Sequence, residues 1–103
     1  VAEFAIALPA VLLVLATLLA GVQVATAHLR AQDAAADAAR SWARGDSSGA
    51  IAARVRRQLP GASVQRSVHG DLVCATVHGR PQGPLGRLGV AVSAEACALA
   101  GGR

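Results

Sequence analysis

The sequence predicts an α+β fold: a long N-terminal α-helix whose first half is apolar enough to cross a membrane, then a short helix and a small three-stranded antiparallel sheet. Three observations predict it. The stretch from Phe4 to Val22, FAIALPAVLLVLATLLAGV, runs for about 19 residues without a charge, and as a helix it covers roughly 29 Å, the hydrocarbon thickness of a bilayer. The segment from Val22 to Arg44 contains neither glycine nor proline and is rich in alanine, the best helix former, so the helix continues. Further on, Gly70-Asp71 separates two segments in which valines alternate with polar residues, the signature of a two-residue hairpin.

The first helix is expected from about residue 4 to residue 44, a length of roughly 60 Å. Pro9 removes one backbone donor and bends the apolar half, a defect that membrane helices tolerate. Gly21 and Ala20 offer a small-residue patch for close helix packing. Beyond the span, Leu29, Ala36, Ala39 and Ala43 recur at helical spacing and mark a mildly apolar stripe. Asp37 and Arg40 are spaced for an ion pair on one face. Arg40 and Arg44 suit the negative end of the helix dipole, and Gly45 supplies a C-cap. The chain thus divides into a transmembrane half of the helix (1–27), an amphipathic continuation of the same helix (28–45) and a small α+β head (46–103).

Asp46, Ser47 and Ser48 supply N-cap residues for a short helix from about Gly49 to Leu59, with Ile51, Val55 and Leu59 on one face and Arg54, Arg56 and Arg57 off it. Pro60-Gly61 ends that helix. In the hairpin, residues 62–69 and 72–78 pair with His69 opposite Leu72, Val68 opposite Val73 and Val64 opposite Val77, which places all four valines on one face. The opposite face carries Gln65, Ser67, Cys74 and Thr76. The Gly- and Pro-rich stretch 79–86 reads as a loop, and a third strand is expected from about Arg87 to Ala98.

Taking away the long helix leaves about 60 residues for the head, a size that is marginal on core burial alone. Phe4 and Trp42 are the aromatic residues, so a soluble core must rest on Val, Leu and Ile. Cys74 and Cys97 both lie in the head. An even count beyond a membrane segment fits one disulfide formed in an oxidising compartment; two buried free thiols are the alternative. A Cys74–Cys97 bridge would tie the third strand to the hairpin and stabilise the head by about 3 kcal/mol in the chain-entropy model.

The net charge of +4 is carried by arginine, without lysine, in separated regions; this is a weak argument for nucleic acid, and no nucleic-acid partner is expected. No enzyme site is expected. His28, His69 and His78 lack ligand spacing with the cysteines, and neither C-x-x-C nor H-E-x-x-H occurs. Ser63, Ser67 and Ser93 have no nucleophile-elbow context, and tyrosine is absent from the sequence. No metal and no cofactor are expected. Glu3, an acid at the mouth of an apolar helix, demands a role. It either interacts with the interface and the helix N-terminus or neutralises a partner's positive group, such as an N-terminal amine, when such helices pack side by side.

The opening AEFAIALPAVLLVLATLLAGVQ resembles the N-terminus of TadE-like pseudopilins, minor pilins of tight-adherence (Flp-type) type IV pilus systems. Glu3, Phe4 and Pro9 match that family's Glu-Phe or Glu-Tyr pair and early helical proline. LRAQDAAADAARSWARGD is similar to the family's alanine-rich continuation, and GDLVCATV and VSAEACAL resemble its tails in GC-rich Gram-positive bacteria. The resemblance implies a pilin-like fold and a structural or priming role in a thin surface pilus. It implies other pilin subunits, a pilus assembly platform and membrane lipid as partners, and a prepilin peptidase as the processing enzyme. It also implies that Glu3, Phe4 and Pro9 serve assembly.

The family glutamate usually lies near the fifth mature position. The expectation is therefore a start upstream of Val1, inside a longer precursor whose basic leader precedes this sequence. Arg30, Arg40 and Arg44 follow the span, and the positive-inside rule applied to these residues alone would keep the head in the cytoplasm. A basic leader reverses that inference, and the cysteine pair argues for the outside, so a single-pass anchor with the C-terminal head outside is expected. Two rivals have other signatures. A small secreted disulfide protein would be cut at the A-x-A-like site at Ala25 and Ala27, and a single-pass membrane adaptor would bind nucleic acid through the Arg54–Arg57 face.

Overall fold

The computed structural model describes residues 2–81 and 83–100. The order of elements is α1 (Ala2–Arg44), α2 (Ser48–Gln58), β1 (Ser63–His69), β2 (Leu72–Gly79), the single turn α3 (Pro84–Arg87) and β3 (Val92–Leu99). The three strands form one antiparallel sheet in the order β1-β2-β3. The whole measures 68 × 21 × 19 Å, because α1 runs far past the head that its second half helps to build.

The end of α1 follows from its sequence. Gly45 adopts φ 93°, and the amides of Gly45 and Asp46 donate to the carbonyls of Trp42 and Ser41. This is a Schellman ending, in which a left-handed glycine lets the chain turn back while closing carbonyls that the helix leaves open. The chain reverses at once into α2, where the Ser47 hydroxyl accepts from the Ala50 amide as N-cap. α2 ends where Leu59 turns into the core and Pro60-Gly61 redirects the chain.

The hairpin has the register read from the sequence: His69 opposite Leu72, Val68 opposite Val73, and Val64 opposite Val77. Val73 and Val77 are buried and Val64 is half-buried, but Val68 is 55% exposed. β1 is an edge strand that α1 barely reaches, so its far end lacks cover. β3 pairs along β2 from Leu72↔Leu99 to Gly79↔Val92. It therefore starts at Val92, later than the expected Arg87, because β2 offers no partner beyond Gly79. Part of the stretch expected to be irregular forms α3, with Pro84 in the first helical position, where its missing donor costs nothing.

The second half of α1 lies across β2 and β3, and α2 packs beside it and over β1. The buried stripe of α1 is Ala27, Ala31, Ala34, Ala35, Ala38, Ala39 and Ser41. The stripe expected from spacing, Leu29, Ala36, Ala39 and Ala43, shares only Ala39 with it, and Leu29 is 65% exposed. Packed in the same buried cluster are Ala75 and Val77 of β2 and Val92 and Ala94 of β3. Alanine on both sides lets helix and sheet approach closely, and the larger buried side chains (Ile51, Val55, Leu59 and Val77) fill the space under α2. A Cβ on Gly79 would run into the Leu59 side chain, so glycine is what lets the end of β2 close over α2.

Polar groups join α1 to α2. Ser41 is fully buried, and its hydroxyl accepts from the guanidinium groups of Arg44 and Arg54. Arg54 also stands 3.7 Å from Asp37 and 3.8 Å from Asp46. The expected Asp37–Arg40 pair is therefore replaced: Asp37 turns to Arg54, and Arg40 donates instead to the Ala36 carbonyl. Trp42 seals the same joint, its indole N–H donating to Ser48. On the outer face of the sheet, Cys74 and Cys97 are opposite each other in register and joined in a disulfide, with Cα atoms 4.0 Å apart.

Candidate assembly helix

The first half of α1 is where the sequence concentrates its unusual chemistry. From Ala2 to Leu19 every residue is exposed, including Phe4, Ile6, Leu8, Leu12, Leu15 and Leu18. An 18-residue window of this helix is apolar enough to cross a membrane, and none of it is buried by the rest of the molecule. A core helix of a soluble protein would have the opposite property, with its apolar side chains covered by its own fold. The Thr17 hydroxyl donates to the Leu13 carbonyl, so a polar side chain inside the apolar run is satisfied locally.

Helical spacing sorts this segment into faces. Glu3, Ala7, Ala10, Val14, Thr17 and Gly21 follow one another at intervals of four and three, so a mostly small-residue stripe begins at the acid. Phe4, Leu8, Val11, Leu15, Leu18 and Val22 form the neighbouring large-residue stripe by the same spacing. Glu3 and Phe4 thus share the first turn but head different stripes, and Pro9 lies on neither. The structure brings together the other singled-out pair, Cys74 and Cys97, far from this segment in the head.

Where the apolar segment meets the head, Thr17, Gly21, Val24 and His28 line an open crevice of about 750 Å³ whose other wall is Ala91, Val92 and Ser93 at the start of β3. The Glu3 stripe therefore continues into the side of α1 that holds the sheet, through Val24, Ala31, Ala35 and Ala38. Sequence reasoning missed this continuity. The signal was present in the four-three spacing, but alanines on other faces of the helix hid it. His69 and His78 are exposed at strand ends, and among the described residues no three His, Cys, Asp or Glu side chains gather as a metal site.

A family model matches the chain over residues 1–40, which takes in the whole apolar run, both stripes and most of the alanine surface that holds the sheet. The model that matches is that of the TadE-like protein family. The TadE-like match thus falls on the segment whose Glu3, Phe4 and Pro9 carried the resemblance, and it stops about one turn before α1 ends. The whole head (46–103) lies outside the TadE-like match. No curated protein and no solved structure gives a significant match to the chain.

Proposed function

We propose that this chain is a non-enzymatic, membrane-anchored minor pilin or pseudopilin, a structural component or assembly primer of a tight-adherence (Flp-type) type IV pilus. The observation that carries the proposal is the apolar half of α1, TadE-like in sequence and left wholly uncovered by its own fold. Such a surface must be covered by lipid before assembly or by neighbouring helices after it. In this mechanism the apolar helix leaves the bilayer and packs among the helices of other pilin subunits on an assembly platform, after a prepilin peptidase has processed the precursor. Glu3 sets the register by meeting a positive group of a neighbour where little water competes. The head stands outside the cytoplasm, a side supported by the disulfide.

The secreted-protein rival is disfavoured by the packing of the helix. A cut after Ala27 would remove Val24 and the buried Ala27 from the core that they help to close. The nucleic-acid rival loses Arg54, which is committed to Ser41, Asp37 and Asp46.

The test is Glu3→Ala in the native cells. The variant is expected to enter the membrane at the parental level and to be depleted at least tenfold from sheared pili or from complexes crosslinked to pilin subunits, an effect of about 1.4 kcal/mol or more on the packing step. Incorporation at the parental level would remove the proposed role of the glutamate.

A further inference from the structure

We infer that the end of the head nearest the apolar span is a docking surface for the anionic headgroups of the bilayer that α1 enters; this rests on the membrane reading proposed above. The topology puts two connections at that end, the short link from α2 into β1 and the longer one from β2 to β3. Gly79 pairs with Val92, so Arg80 and Pro81 on one side and Ala91 on the other lie at the end of the sheet where α1 leaves the head. Ala91 and Val92 share a crevice with Thr17 and Gly21, which belong to the uncharged run. The longer connection therefore reaches alongside the last turns of the segment expected in lipid, at the depth of the headgroups.

Its chemistry suits that depth. Leu88, in the turn after α3, is 77% exposed, the highest exposure among the large apolar side chains, and Arg87 beside it is exposed as well. Arg80 lines a crevice with His78 and Pro60 at the same edge, and Arg30 lines another with Val22 and Leu59. Arg57 lies in the last turn of α2, which ends there. None of these four arginines makes an ion pair among the described residues.

The acids of the head stand elsewhere. Asp33 is already one turn beyond Arg30, Asp37 and Asp46 hold Arg54 and Arg44, Asp71 is in the hairpin turn at the far end, and Glu95 lies midway along β3. Basic side chains collect around the helix where it emerges, with an exposed leucine among them. An anionic lipid surface fits this arrangement: arginines meet phosphates while an apolar tip enters the interface.

The full chain, labelled with ¹⁵N, is placed in nanodiscs of phosphatidylcholine alone or containing phosphatidylglycerol, each doped with a headgroup spin label. In the phosphatidylglycerol discs the Leu88 amide is expected to relax several-fold faster than the Asp71 amide in the hairpin turn. That contrast should shrink in phosphatidylcholine discs and in the Arg80→Gln/Arg87→Gln variant, by about fivefold in docking for each arginine lost. Asp71 and the other hairpin amides report in the same spectra that the head is folded. An acyl-chain label read at Ala10 reports insertion of α1 separately. If Ala10 is not in lipid, the membrane reading fails and this inference fails with it. If Ala10 is in lipid but Leu88 behaves like Asp71, or is equally close in both lipids, this inference alone is overturned. Saturation of the Leu88 response by inorganic phosphate without anionic lipid would overturn it in favour of a free-anion site.

Discussion

Replacing Ala35 by leucine is expected to destabilise the head by about 3 kcal/mol, at the upper end of what overpacking costs. Ala35 is fully buried on the side of α1 that packs against the sheet, and Ala75 of β2, in the same buried cluster, is fully buried too. Small side chains on both sides mean that no flexible group can move aside to admit extra methylene groups, so the helix must lift from β2 and β3. Lifting it would also expose Ala31 and Ala38. A head of this size has little stability in reserve, so the loss should leave much of it unfolded. Trp42, the single tryptophan, sits at the joint of α1 and α2 and reports the transition by fluorescence during urea unfolding of the full chain in detergent. An unchanged midpoint would mean that α1 is not seated on the sheet through its alanines. Ala25→Leu, at an exposed position on the same helix, is the control.

Removing the disulfide in the Cys74→Ala/Cys97→Ala variant is expected to cost about as much, for a different reason. The bridge spans a sequence separation of 23, and closing a loop of that length lowers the entropy of the unfolded chain by an amount worth about 3 kcal/mol. In the folded head it joins β2 to β3 on the face of the sheet turned away from α1. The inner face of β3 offers mainly alanine, so its hydrophobic hold on α1 is weak for a strand of that length. The same urea titration, run on the variant and on the parent with and without reductant, checks this. The reduced parent and the variant should lose a similar amount, and a loss well under 1 kcal/mol in both would show that packing alone secures β3.

What could be read in the sequence divides along a physical line. The ends of α1 and α2 were legible because Gly45, Ser47 and Pro60-Gly61 act on the chain locally. The hairpin register was legible because a two-residue turn and alternating valines leave one pairing that keeps the valines together. The buried side of α1 was not. Alanine occurs on several faces between Ala31 and Ala43, so periodicity has no contrast there, and the sheet decides which alanines are covered. The partner of Asp37 was misread because Arg54, distant in the sequence, arrives with α2 and displaces the neighbour at helical spacing. The expected start of β3 at Arg87 is too early because pairing stops where β2 stops, and that end is set by the partner strand. At the assembly segment the apolar run and the acid at its mouth were visible at once. Its division into small and large stripes, and the continuation of the small stripe into the head, became visible only once the sheet showed which side of α1 it holds.

The central claim, that the apolar half of α1 is a working part of the mature protein, is tested most directly by intact mass and N-terminal sequencing of the protein from its native cells, without reductant. The account predicts a mature chain that retains Phe4 to Val22 and whose mass is lower by the hydrogens lost in joining Cys74 to Cys97. A mature chain that begins just after Ala27 would contradict it, since the apolar stretch would then be a discarded signal and no helix would remain to anchor or assemble.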